Sequence, residues 1–228
     1  MEIIIIIIVV VVLLLVGGIF SHQQAKKRRE ELSAWAASRG LVFHPDKDHG
    51  FDDDFSEFSH LRQGSSRYAY NIIEGRYNNF TFTAFDYHYE THSTDSKGRR
   101  QTHHHYFTAV IVEAGLPLKP LFIRSEGFFD KVGEFFGLDD IDFELAEFSR
   151  EFHVKSPDRR WAFDVLHQES MEFLLASPRF TLDMQHGRVM AYRAGTFSID
   201  EYEQALDVVI GLIERLPSSV VRELKETN

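Results

Sequence analysis

Ile3 to Phe20 is a run without a single charged side chain, built almost wholly from Ile, Val and Leu. Coiled as a helix it would measure roughly 27 Å at about 1.5 Å per residue. The hydrocarbon layer of a bilayer is about 30 Å thick. Ile3 to Ile8 would disfavour a free helix in water, because β-branching restricts χ1. Lipid reverses that preference by forcing the backbone to close its own hydrogen bonds. The expectation is a single transmembrane anchor that meets the lipid bilayer through residues 3–20.

Only Met1 and Glu2 precede the run, whereas Lys26, Lys27, Arg28 and Arg29 follow it closely. A cleaved signal peptide would carry its basic segment ahead of the apolar core. The positive-inside bias instead places the N-terminus outside and the remaining chain on the cytoplasmic face of the cell membrane. Lys26, Lys27, Arg28 and Arg29 are then membrane-interface residues facing anionic head groups. The corresponding organisation is an anchor over 1–22, a basic juxtamembrane helix over 23–40, a globular domain over 41–217 and a tail over 218–228. The chain has no cysteine, which removes disulfides and thiolate chemistry. Its formal net charge of -10 argues against nucleic acid as a partner, since counterion release needs a basic face.

The remaining pattern is α+β. Residues 68–77, 79–91, 103–113 and 120–124 are rich in aromatic and β-branched residues and read as strands. In the second of these, Phe80, Phe82 and Ala84 are apolar on even positions, then Phe85, Tyr87 and Tyr89 on odd ones. That phase change predicts a β-bulge near Ala84 and Phe85. Residues 128–136 suggest a short helix, and 151–155 a returning strand. Ser156-Pro157 opens a helical stretch that breaks near His167-Gln168. Residues 180–185 and 188–192 form a hairpin across His186-Gly187. Ser198 and Glu201 make a capping box for a long helix with Tyr202, Ala205, Leu206, Val209, Ile213 and Leu216 on one face. The architecture expected is an N-terminal transmembrane helix followed by a mostly antiparallel bent sheet or partial barrel, packed by helices that include a long C-terminal one.

Residues 147–175, EFSREFHVKSPDRRWAFDVLHQESMEFLL, carry Glu147, Phe148, Phe152, Val154, Ala162, Leu166, Met171, Leu174 and Leu175. This pattern resembles the core of an uncharacterised family of bacterial single-pass membrane-anchored proteins. The matching positions are chiefly apolar, so the resemblance implies a shared fold and transfers no chemistry.

Chemistry concentrates around the polar 93–101 turn. With Ser96 and Arg99 flanking its tip, His92 falls opposite His103 and Glu90 opposite His105. Asp86, His88, Glu90, His92, His103 and His105 then share one sheet face. Imidazole and carboxylate at such spacing suit zinc or another divalent ion, and a one-residue slip would disperse them. The ordinary alternative is a solvated hairpin end. His44, Asp46, Asp48 and His49 imitate a metallohydrolase motif without its second histidine. Asp46, Asp48 and Glu57 imitate a calcium loop with Phe51 where glycine belongs. No nucleophile elbow, P-loop, dinucleotide fingerprint or HExxH is present. The expectation is therefore a membrane-anchored binding or scaffolding domain with no catalytic or cofactor residue, serving a membrane or membrane-proximal protein. The alternative is a metal-dependent hydrolase or metal sensor built on residues 86–105.

Overall fold

The computed structural model describes residues 23–125 and 137–226. Eight strands form one open sheet, and every pairing is antiparallel. They are β1 (Val42–His44), β2 (Ser65–Tyr77), β3 (Phe80–Thr94), β4 (Arg100–Glu113), β5 (Leu121–Ser125), β6 (Phe152–Lys155), β7 (Thr181–Gln185) and β8 (Arg188–Ala194). Their order is β1-β2-β3-β4-β8-β7-β5-β6, so the late β7–β8 hairpin inserts between β4 and β5. The hairpin turns on His186 and Gly187, both at positive φ, as a two-residue loop of this kind requires. The partial barrel is corrected: β1 and β6 stand at opposite ends of the sheet and do not pair.

Helix α1 covers residues 23–39. Short α2 (Phe51–Asp54) and a 3-10 turn (Ser59–Arg62) follow β1. Helices α3 (Ala146–Glu151), α4 (Arg159–Val165), α5 (Gln168–Ala176), α6 (Ile199–Glu214) and α7 (Ser218–Glu226) belong to the second half. The capping box is present at α6: Glu201 N–H donates to Ser198 Oγ at 3.2 Å, and Ser198 N–H to Glu201 Oε2 at 2.7 Å. The helix suggested over 128–136 lies outside the described residues.

Both faces of the central strands are buried, and this accounts for the phase change in β3. Phe82 and Ala84 join Val110, Val112, Val189 and Ala191 beneath α1 and α6. Phe85, Tyr87 and Tyr89 enter a second core with Phe51, Phe58, Leu61, Phe107 and Tyr192. The β3–β4 register runs without interruption from Phe82 to Thr94, so the bulge expected at Ala84-Phe85 is absent from that ladder. Two register shifts lie on β2 instead, between Ser65 and Tyr68 and between Tyr70 and Ile73, where Ser66 and Asn71 each take φ 52.

Among the described residues no helix is long and apolar enough to cross a membrane, and the run 3–20 lies outside them. The transmembrane helix is thereby corrected as an element of the described fold. Helix α1 is amphipathic: Leu32, Trp35 and Ala36 are buried, and its other residues are largely exposed. One member of the basic cluster, Arg28, has its partner inside the domain. Lys26 and Lys27 lie 3.8 and 3.5 Å from Glu30 and Glu31 one turn on. Arg28 turns inward onto Asp86.

Candidate metal centre

The fully buried Asp86 carboxylate sits in β3 where the α1–α6 cover ends. Arg28 donates through Nε to Oδ2 at 2.9 Å and through Nη2 to Oδ1 at 2.8 Å. Asn71 Nδ2 adds a bond to Oδ2 at 2.8 Å, and Thr108 Oγ1 one to Oδ1 at 2.6 Å. Tyr202 OH approaches Oδ1 at 3.3 Å, and burial raises its pKa well above the ordinary phenol value. A charge removed from water needs this degree of pairing. Asp86 is thus committed to holding α1 and α6 on the sheet, away from any ligand set.

Two residues further along the same face stands His88, 3% exposed. Its Nδ1 lies 3.2 Å from the Ser66 carbonyl oxygen, which only accepts, so Nδ1 carries the proton. That leaves the Nε2 lone pair directed at His104. Burial lowers the His88 pKa, the Ser66 carbonyl opposes it in part, and the imidazole is held neutral as a metal ligand requires. Tyr68 stacks on the ring at 4.6 Å and Tyr106 leans on it at 4.8 Å, fixing its plane. His88 Nε2 lies 3.1 Å from His104 Nδ1, and His104 Nδ1 lies 3.5 Å from Glu90 Oε1.

One ligand atom each from His88, Glu90 and His104 falls within 4.8 Å of the others. Among the described residues no other three His, Asp or Glu side chains are so grouped. Donors about 2.0–2.1 Å from a tetrahedral zinc are about 3.3 Å apart, close to the two shorter separations here. The set His, His, Glu leaves a fourth position open. Backbone geometry holds Glu90 in place: Gly64, at φ +64, passes so near that a Cβ there would lie 2.1 Å from the Glu90 carbonyl oxygen.

The sequence pattern named His88 and Glu90 and missed His104. Glu90 pairs with His104, Thr91 with His103 and Tyr89 with His105, one residue away from the expected register. The cause is the turn. Asp95 N–H donates to Arg99 O at 2.9 Å, which leaves a three-residue loop, Ser96-Lys97-Gly98, with Gly98 at φ 76. Asp95 Oδ1 accepts from the Lys97 and Arg99 amides, each at 2.9 Å, and closes it. An aspartate three residues before a left-handed glycine was the available signal. His103 and His105 consequently lie on the opposite face, with Nε2 at 2.8 Å from Ser93 Oγ and 2.7 Å from Thr91 Oγ1. His92 shares the face of Glu90, nearer the tip, between Ser65 Oγ and Thr102 Oγ1, each at 3.2 Å.

The remaining candidates do not converge. His44 faces Glu74 at 3.6 Å, and His49 lies against Tyr68. Asp48 caps the Gly50 amide at 2.8 Å, and Glu57 binds Arg188 at 2.7 Å. Of the basic cluster, Lys26, Lys27 and Arg29 are exposed, and the Arg28 guanidinium is consumed by Asp86 and by the Phe197 carbonyl at 2.7 Å.

Fold and site together define an α+β domain with an open antiparallel sheet and a two-histidine, one-glutamate cluster on a central hairpin. No family profile and no curated protein matches the chain. Among solved structures it is similar to the crystal structure of the mycobacterial trehalose monomycolate transport factor A, TtfA, with a TM-score of 0.61. Identity is 11%, over 83% of this chain and 96% of that one, a likeness of fold alone.

The resemblance to a family of single-pass membrane-anchored proteins rested on apolar positions, and no family matches. Those positions, among them Phe148, Val154, Ala162 and Leu166, are core residues that pack a sheet. The bilayer contact through residues 3–20, the outside-to-cytoplasm topology and the membrane-proximal partner have no counterpart among the described residues, where no helix is fit to span. Of the four cations behind the orientation argument, Arg28 is engaged in an internal ion pair. The membrane-anchored scaffolding reading gives way to the metal cluster.

Proposed function

We propose that this domain binds one divalent transition-metal ion, zinc foremost, through His88 Nε2, Glu90 and His104 Nδ1. The observation that carries the reading is the convergence of those three donors, with the His88 tautomer already set by the Ser66 carbonyl. A carbonyl on the far nitrogen of a ligating histidine is the usual outer support of a metal site. With Nδ1 of His88 protonated, the bond between the two rings runs from His104 Nδ1–H to His88 Nε2. An ion would take the place of that proton, which His104 then carries on Nε2. Imidazole and carboxylate together favour zinc and its transition-metal neighbours over magnesium or calcium.

The ion would cross-link β3 to β4 at the point where β2 stops pairing with β3. Binding then stiffens the outer hairpin, a metal-responsive element on a rigid scaffold. The fold likeness to a transport factor, at 11% identity, supplies no ligand.

Equilibrium dialysis against zinc tests the reading. Close to one ion per chain is expected, with retention lost in His88→Ala and His104→Ala and kept in His103→Ala. No retained zinc in the unaltered protein would end the proposal.

A further inference from the structure

Strand β4 runs from Arg100, but β8 pairs with it only from Phe107 onward. The last contact on that side is Gly195 N–H donating to Tyr106 O at 3.1 Å. Backbone groups alternate sides along an antiparallel strand. The amides and carbonyls of Arg100, Thr102 and His104 therefore point to the same side as those of Tyr106. Among the described residues no backbone group meets them. Those of Gln101, His103 and His105 face β3, whose ladder continues to Thr94. A free sheet edge of this length is a template for another strand.

Beside the edge lies a cavity of about 240 Å³, lined by His60, Tyr89, His104, His105, Phe107 and Tyr192 among others. His60 is 3% exposed and its Nδ1 is buried without a hydrogen-bond partner. Its ring stacks on Tyr192 at 4.3 Å and packs on Phe107 at 4.8 Å, so it cannot swing out to water without opening that core. The fixed His60 ring thus walls the cavity, so a side chain entering it must be small.

Charge indicates what enters. Residues 88–106 carry Lys97, Arg99 and Arg100 against Glu90 and Asp95, a formal +1, in a chain whose total is -10. A second copy of this hairpin would bring like charge against like. An acidic segment is complementary.

We infer that the free edge of β4 accepts an extended acidic peptide from a partner protein, which adds antiparallel beside Arg100–His104 in the line that β8 vacates. Main-chain hydrogen bonds to Arg100, Thr102 and His104 supply affinity, and alternate side chains supply selection. Small hydroxyl side chains on one face meet the His60 cavity. Acidic side chains on the other lie beside Thr102 and His104. The inference does not depend on the ion, since the edge consists of backbone.

The probe is an acetylated peptide of alternating threonine and glutamate, titrated into ¹⁵N-labelled, metal-free full chain. Shifts are expected at the amides of Arg100, Thr102 and His104 and much smaller ones at Gln101 and His103. Thr102→Pro removes an outward donor without touching the β3 ladder and should weaken binding at least about tenfold. Should that variant fold poorly, the same peptide N-methylated at alternate residues serves instead, with the same loss expected. His60→Phe should also weaken binding. No shifts at millimolar peptide, equal shifts with a lysine-for-glutamate peptide, or undiminished binding of the N-methylated peptide would each overturn the inference.

Discussion

Arg28 and Asp86, 58 residues apart in sequence, meet through two hydrogen bonds of 2.9 and 2.8 Å and tie the first helix to the middle of the sheet. Asp86 is 1% exposed at its side chain and Arg28 21%. Removing one partner of a buried pair strands the other's charge, at a cost of about 3–5 kcal/mol. Arg28→Met should therefore lower the unfolding free energy by roughly 3 kcal/mol, the lower end, because Arg28 retains some solvent. Arg28→Met combined with Asp86→Leu should recover part of that loss. Urea titrations of the two variants measure the difference.

His60 sets a dependence on pH. Burial, reinforced by the charge of His105, brings its pKa from 6.5 down to about 3. The folded state binds fewer protons than the unfolded chain between those values, so His60 contributes full stability above pH 6.5 and loses it as pH falls toward 3. A tenfold difference in proton affinity between the two states is worth about 1.4 kcal/mol, so the fall should be on the order of a few kcal/mol. In His60→Phe the slope between pH 6.5 and 4 should flatten markedly. An unchanged slope in denaturant titrations across that range would contradict the assignment.

Glu201 carries a smaller effect of the same sign. Its bond to the Ser198 amide and, after a small burial penalty, its contact with Arg193 lower its pKa below 4.5. The contribution is present above the unfolded value and disappears as pH falls through the folded one. Ser198→Ala should cost about 1 kcal/mol at neutral pH by removing the cap of α6. Thermal denaturation at pH 7 gives the magnitude.

Gly64 links backbone to site. A methyl group there would sit 2.1 Å from the Glu90 carbonyl oxygen, at a φ of +64 that L-residues avoid. Gly64→Ala must displace β2 from β3 beside a proposed ligand. We expect a loss above about 2 kcal/mol together with weakened zinc retention. Gly98→Ala, in open space at the hairpin tip, should cost less and leave zinc retention nearly intact.

Strand positions, the split of the helical stretch at His167-Gln168 and the α6 capping box were legible because each is local. Period-two patterning, a turn and a Ser-x-x-Glu box act over a few residues. The insertion of β7–β8 between β4 and β5 was not legible, since nothing within those strands encodes which distant edge they join. Burial on both faces of β3 imitated a bulge, because Phe82 and Phe85 each serve a different core. Arg28 read as a head-group contact because its partner lies far along the chain. The site was half legible. His88 and Glu90 followed from alternation within one strand, whereas His104 depended on the parity of a loop. A three-residue turn in place of an even one moved His103 and His105 to the far face.

The most direct measurement is the protonation of the histidine rings in ¹⁵N-edited NMR, before and after one equivalent of zinc. His88 should stay protonated on Nδ1 throughout. His104 should change from Nδ1–H to Nε2–H as zinc occupies Nδ1, while His103 and His105 keep their spectra. Zinc-dependent changes at His103 or His105 with His88 and His104 unmoved would contradict this ligand set.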